Sequence, residues 1–269
     1  MHKYLYGGES DVGYGREINE DFIQVVELDE NNLLSLIVDG VGSKGLKLQP
    51  ASIVAKEVVL VAKGMFEKDK ELFLSHPDIF LEICLNCANR VLGGFKLGNE
   101  EIYGGFAAAI TCCLLDENGR MTFAHAGNTR LYLLRENKRL DPPAHVLKQL
   151  TKDHTAGAKM VDIGDITAEE YHTHASRLDI YSGMGVITNP LIQTFSMPLK
   201  ENDIILMTTD GIHCAVKPEF MTQFILESGD NSAAAKTLIT GAKTVKYVDN
   251  MSAIVLWYPG ENINEGSQE

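Results

Sequence analysis

The chain has 269 residues, 45% of them hydrophobic and 23% charged, a balance that excludes disordered and fibrous proteins. Its 37 acidic residues outnumber 24 basic ones, a net charge of −13 with histidine neutral. Such a surface repels bare nucleic acid and anionic membranes, which bind through Lys and Arg. The longest apolar run, Phe106 to Leu115, is shorter than the roughly 20 residues needed to cross hydrocarbon. The opening MHKYLYGGES lacks the apolar centre of a signal peptide, and five cysteines make a poor disulfide framework in a chain this long. A cytoplasmic protein is expected.

In chain order, Phe22–Leu28 and Leu33–Val38 read as strands joined by a turn at Asp29–Asn32. A helix follows with Val54, Val58 and Val61 on one face and a stop near Gly64. The next carries Phe80, Ile83, Cys84, Cys87 and Val91 and stops at Gly93-Gly94. Phe106–Leu115, Met121–His125 and Leu131–Arg135 form a meander, its first turn built on Asn118-Gly119, a pair that tolerates positive φ. Asp153–Arg177 is polar and reads as a long surface excursion. Ile204–Thr209 and Ser252–Trp257 are further strands, bracketing a second helix pair over Pro218–Glu227 and Ser232–Lys243. Strand runs alternating with helix pairs predict an α+β fold, antiparallel sheets covered by helices, as one domain over 1–260 with a polar tail at 261–269.

The informative pattern is where the acids fall. Asp39-Gly40 follows Leu33–Val38, and Asp210-Gly211 follows Ile204–Thr209; Glu20-Asp21 and Asp249-Asn250 stand immediately before apolar strands. A carboxylate at the border of a buried strand is costly without a cation or hydrogen bonds, and several at one end of a sandwich also repel one another. A divalent ion relieves both costs, and all-oxygen ligation suits Mg²⁺ or Mn²⁺ over Zn²⁺. Taken singly, each Asp-Gly is better explained as a turn; two of them together with Glu20-Asp21 and Asp249-Asn250 are not.

These residues resemble the PPM (PP2C-type) metal-dependent serine/threonine protein phosphatases. The similarity runs in order through Asp11-Val12-Gly13, Arg16 to Phe22, Asp39-Gly40-Val41-Gly42, Gly105 to Ala109, Ala126 to Tyr132, Leu150 to Thr155, Thr209 to Ile212 and Asp249 to Ser252. The resemblance implies a central sandwich of two antiparallel sheets flanked by helix pairs, with two metal ions at one end. It places Asp39 as the bridging carboxylate, the Gly40 carbonyl on one metal, Asp210 and Asp249 on the other, and Glu20 and Asp21 partly through waters. It makes Arg16 the phosphate-binding arginine. The implied reaction is in-line attack by a metal-bridging hydroxide on phosphoserine or phosphothreonine in a protein, without a covalent intermediate, in a monomer opposing a Ser/Thr kinase.

Two departures qualify the resemblance. Val41 stands where some members carry a histidine proposed as the acid for the leaving alcohol, so water must protonate that oxygen here. Asn128 replaces an aspartate that in relatives helps hold a third metal, and an amide lacks the charge to do so. Asn128, His213 and Asn250 are candidates for supporting the site, His213 by touching substrate or a nearby water.

Other readings compete. A catalytically weak or inactive module on the same fold would keep the ligands but not the turnover. Gly40-Val41-Gly42-Ser43-Lys44-Gly45 satisfies the dinucleotide-binding fingerprint of an oxidoreductase, although Asp39 beside it would repel a pyrophosphate. Cys84-Leu85-Asn86-Cys87 and Cys112-Cys113 read as core, His125 as a satisfied core histidine, and His172 and His174 as solvated.

Overall fold

The computed structural model describes residues 3–43, 46 and 48–260. The tail at 261–269, and Lys44, Gly45 and Lys47 beside the glycine-rich segment, lie outside the described residues. Ten strands are found among those described: β1 Leu5–Asp11, β2 Asp21–Glu27, β3 Leu33–Val41, β4 Ala107–Leu115, β5 Arg120–Ala126, β6 Arg130–Asn137, β7 Ala144–Gln149, β8 Gln193–Pro198, β9 Asp203–Thr208 and β10 Met251–Tyr258. They form two sheets, ordered β1-β10-β9-β6-β7 and β2-β3-β4-β5-β8, and every pairing is antiparallel.

The helices are α1 Pro50–Lys68, α2 Lys70–Ser75, α3 Pro77–Lys96, α4 Glu100–Tyr103, α5 Ala156–Ile163, α6 Ala168–Tyr171, α7 Asp210–His213, α8 Pro218–Glu227 and α9 Asn231–Thr244. No described helix is long and apolar enough to cross a membrane. Alternation along each strand sorts side chains into three apolar layers. On β3, Leu34, Leu36 and Val38 pack against α1 and α3, while Leu33 and Ile37 face the opposite sheet. On β10, Ala253 and Val255 meet α8 and α9, while Ile254 and Leu256 point inward. The result is a helix–sheet–sheet–helix stack, as the alternating runs predict.

The helices outlast their glycine stops. Gly64, Gly93 and Gly94 sit where a side chain would meet nothing within 4 Å, inside helices that continue to Lys68 and Lys96. A glycine costs a helix about 1 kcal/mol, which burial of one helical face outweighs. That face on α3 is Leu81, Cys84, Leu85, Ala88 and Leu92; Phe80, Ile83, Cys87 and Val91 flank it, a turn of about one residue from the expected stripe. Strands β1, β7 and β8, which the sequence does not signal, are edge strands.

The segment Asp153–Arg177 is not a simple surface excursion. It contains α5, α6 and the start of a 3₁₀ turn at Ala175–Leu178, and Asp153, His154 and Thr155 are buried. The dinucleotide fingerprint fails structurally: Gly40 lies within β3, and after the helices the chain returns as β4, antiparallel to β3. Cys84, Cys112 and Cys113 are buried core thiols, and none is in a disulfide.

Candidate active site

One end of the space between the sheets changes chemistry. Leu33, Ile37 and Asp39 share a face of β3, so the alternation that buries two aliphatic side chains delivers a carboxylate to the same interior two residues later. Opposite it, Asp21 pairs with Asp39 across β2 and β3. The sheets bring four polar chain segments to this end: β2 begins there, β3 and β9 finish there, and β10 starts just after Asp249-Asn250. Glycine permits a close approach: a Cβ on Gly211 would lie 1.9 Å from the Asn250 carbonyl oxygen, so Asp210 at the head of α7 can sit beside Asp249.

Glu20, Asp39, Asp210 and Asp249 line one cavity of about 200 Å³ together with Arg16 and Gly40. Asp21 does not line it. Instead its carboxylate turns into the sandwich and accepts hydrogen bonds from the Thr209 hydroxyl at 2.8 Å and the Ser252 hydroxyl at 2.7 Å. Arg16, half-exposed, donates from Nη2 to Asp249 at 2.9 Å, so the expected phosphate ligand is paired with an expected metal ligand. Asn250 supports from behind: its Oδ1 accepts from the Glu20 amide at 2.9 Å, and its Nδ2 donates to the carbonyls of Val12 and Ile18. Asn128 donates from Nδ2 to Asp210 at 3.0 Å, while its buried Oδ1 has no hydrogen-bond partner.

The electrostatics follow from this crowding. Burial, then Asp210, Asp21 and Asp249, pushes the Asp39 carboxyl well above the usual carboxylate range, with Arg16 giving partial relief. Burial and Asp249 push Asp210 up to about 7, and burial does the same to Asp21 despite its two hydroxyl donors. Burial also raises Asp249, against the pull of Arg16. One guanidinium is too little positive charge for four carboxylates, and the donors offered are all oxygen. This is the chemistry of a hard-cation site. The carboxylates line the cavity without converging: among the described residues no group of three or more His, Cys, Asp or Glu stands close enough together to hold a metal ion by itself.

His213 takes no part in this cavity. Its Nδ1 is hydrogen-bonded to Thr208 Oγ1 at 2.9 Å, and it lines a neighbouring cavity of about 430 Å³ with Tyr171 and Arg177. His125 is a satisfied core histidine, bonded to Thr111 at 2.9 Å and to the Lys152 carbonyl at 3.1 Å. His172 is exposed, whereas His174 accepts from the Ser176 amide and caps the 3₁₀ turn. A feature the sequence reading missed is the buried pair Arg130–Asp153, with contacts of 2.9, 3.2 and 2.7 Å, which ties β6 to the segment over the second cavity. An arginine two residues beyond Asn128 was the available signal.

No family model matches the chain. Its relatives are nevertheless consistent. It is 23% identical over 249 residues to a serine/threonine phosphatase stp of Listeria monocytogenes, covering 92% of this chain and 93% of that protein. It is 27% identical over 254 residues to the serine/threonine protein phosphatase PstP of Mycobacterium tuberculosis, covering 93% of this chain and 44% of that protein. The solved structure of the serine/threonine phosphatase Stp1 from Staphylococcus aureus superposes with a TM-score of 0.80 at 25% identity, over 95% of this chain and 96% of that one.

The chain is similar in sequence and in fold to the PPM (PP2C-type) phosphatases. Another fold neighbour, the catalytic domain of the serine/threonine protein phosphatase PstP in complex with two manganese ions, gives a TM-score of 0.73 at 23% identity over 94% of this chain and 97% of that one. Val41 and Asn128, the two positions where the sequence departs from the pattern it resembles, both line the acid cavity.

Proposed function

We propose that this chain hydrolyses phosphoserine and phosphothreonine monoesters in proteins, with two divalent ions, Mn²⁺ or Mg²⁺, held in the acid cavity. The observation that carries the reading is the arrival of Glu20, Asp39, Asp210 and Asp249, from segments far apart in the chain, on a single cavity beside Arg16. Glu20, Asp39, Asp210 and Asp249, with the Gly40 carbonyl, would hold the ions. Bound there, such ions supply Lewis acidity and bring the pKa of water from 15.7 down toward neutrality.

The chain's own side chains do the rest. Arg16 offers parallel N–H donors to two phosphoryl oxygens, a geometry Lys cannot reproduce. Asp249, 2.9 Å from it, orients the guanidinium at the cavity edge. Asp21, satisfied by Thr209 and Ser252, joins β2 to the opposite sheet and keeps Asp39 at its place in the register. Asn250 fixes the Glu20 backbone. No cysteine lines the cavity, which supports direct in-line attack by water over a cysteinyl intermediate. Val41 has no proton to give, so the departing alkoxide takes its proton from solvent and good leaving groups are favoured. The same reading makes the protein a cytoplasmic monomer that reverses a Ser/Thr kinase.

The test is phosphate release from a phosphoserine peptide with Mn²⁺ or Mg²⁺ titrated in. Turnover is expected, and Asp39→Ala should lower it by about a thousandfold. Silence of the unaltered protein across both titrations would return the chain to a binding module of the same fold.

A further inference from the structure

Helix α3 lies on the outer side of the second sheet, yet it grips one wall of the acid cavity. Asn89, 5% exposed, sits among its apolar residues. Its Nδ2 donates to the carbonyls of Ile187 at 3.2 Å and Thr188 at 2.9 Å, and its Oδ1 accepts from the Gly185 amide at 2.7 Å. Two turns along, Lys96 Nζ donates to the Gly185 carbonyl at 2.5 Å. Gly185 has φ +73°, and a Cβ there would stand 2.7 Å from the Phe106 carbonyl oxygen, so the segment is pressed against the sheet. Met184 and Ala108 exchange both backbone hydrogen bonds, at 2.9 and 2.8 Å, which pins it to the start of β4.

The segment so held carries Val186 into the cavity lining, with Ile180, Ala107, Ala108 and Val41 completing an apolar wall beside the acids. These five side chains offer no donor, acceptor or charge. A charged residue set against these five side chains would gain no hydrogen bond from them, whereas an apolar one would gain contact. A buried amide spent entirely on one loop is costly unless that loop must hold its place.

We infer that Asn89 is a positioning residue for substrate selection: through the 184–188 segment it holds an apolar wall that favours phosphoresidues with apolar neighbours. This rests on the phosphatase reading above. The experiment compares two phosphoserine peptides, alike except for valine or aspartate flanking the phosphate, with p-nitrophenyl phosphate as a substrate lacking neighbours, all with Mn²⁺. The unaltered protein should favour the valine peptide about tenfold in kcat/KM. Asn89→Ala should cut that preference to about twofold through KM, speed amide exchange across 184–188, and leave p-nitrophenyl phosphate within about twofold. Val186→Ala should lose the preference without faster exchange. Equal treatment of the two peptides by the unaltered protein, or a preference that survives Asn89→Ala, would overturn the inference while leaving the phosphatase reading intact. A p-nitrophenyl phosphate loss as large as the peptide loss would show a merely structural role and overturn it too. Failure to turn over any of the three phosphates would overturn the phosphatase reading itself, and the inference with it.

Discussion

The two ends of the space between the sheets are built from the same strands and opposite chemistry. At one end Leu33, Leu115, Met121, Leu256 and Tyr258 are almost fully buried and pack into one apolar cluster. At the other, the same inward positions hold Asp21, Asp39, Thr209 and Ser252, with Thr111, His125 and Thr129 hydrogen-bonded between. The first end stabilises the fold, since each fully buried aliphatic side chain is worth roughly 1.5–3 kcal/mol. The second works against it, because its acids resist ionisation and repel one another. Carboxylates stand where folding alone would put leucine.

Substitution at each end should therefore act in opposite directions. Leu33→Ala, at the apolar end, should cost about 2–5 kcal/mol in denaturant unfolding and leave the response to Mn²⁺ unchanged. Asp39→Asn, at the acid end, should raise the metal-free stability by about 1–3 kcal/mol while abolishing turnover. An Asp39→Asn protein that melts lower than the parent without metal would break the comparison.

Metal should erase the liability. Mn²⁺ at about a hundred times its dissociation constant should stabilise the folded state by about 2.7 kcal/mol, and a chelator should remove that gain in calorimetry.

The pH dependence separates the ends further. Asp21 and Asp210 titrate in the folded protein near 7 rather than 3.8, so the metal-free fold binds more protons than the unfolded chain between those values. Stability should accordingly fall as pH rises from about 4 to about 7. Burial holds His125 down to about 3 and His154 to about 4, so these groups act in the opposite sense, withdrawing stability as pH falls below 6.5. Urea melts of the metal-free protein across this range should show the carboxylate slope, and Asp39→Asn should flatten it. The smallest effect expected is at Asn128, where Asn128→Asp should raise turnover a few-fold at low metal by adding charge beside Asp210. Unchanged turnover through a metal titration would count against it.

Much of this was legible along the chain. The run Leu33–Val38 ending in Asp39, the turn at Asn118-Gly119, where Gly119 takes φ +69°, and the helix Pro218–Glu227 all appear where local pattern placed them. Elements whose structure comes from a partner were not. Strand β1, Leu5–Asp11, carries no strand signal of its own, yet it pairs along its length with β10, and Gly7 is needed because α9 passes so close that a Cβ would lie 2.3 Å from the Ser232 amide nitrogen. Asp153 reads as a surface acid, but Arg130, 23 residues away, draws it inside and holds its carboxyl down to about 2.

The sequence by itself determined that acids would stand at strand ends, because apolar alternation and its interruption are local properties of the chain. Only the tertiary structure decided that Glu20, Asp39, Asp210 and Asp249 ring one cavity, that Asp21 turns behind it, and that Arg16 rests on Asp249. Those outcomes depend on which strand ends the antiparallel registers bring together, and register is set by contacts between residues as far apart in the chain as Leu5 and Trp257.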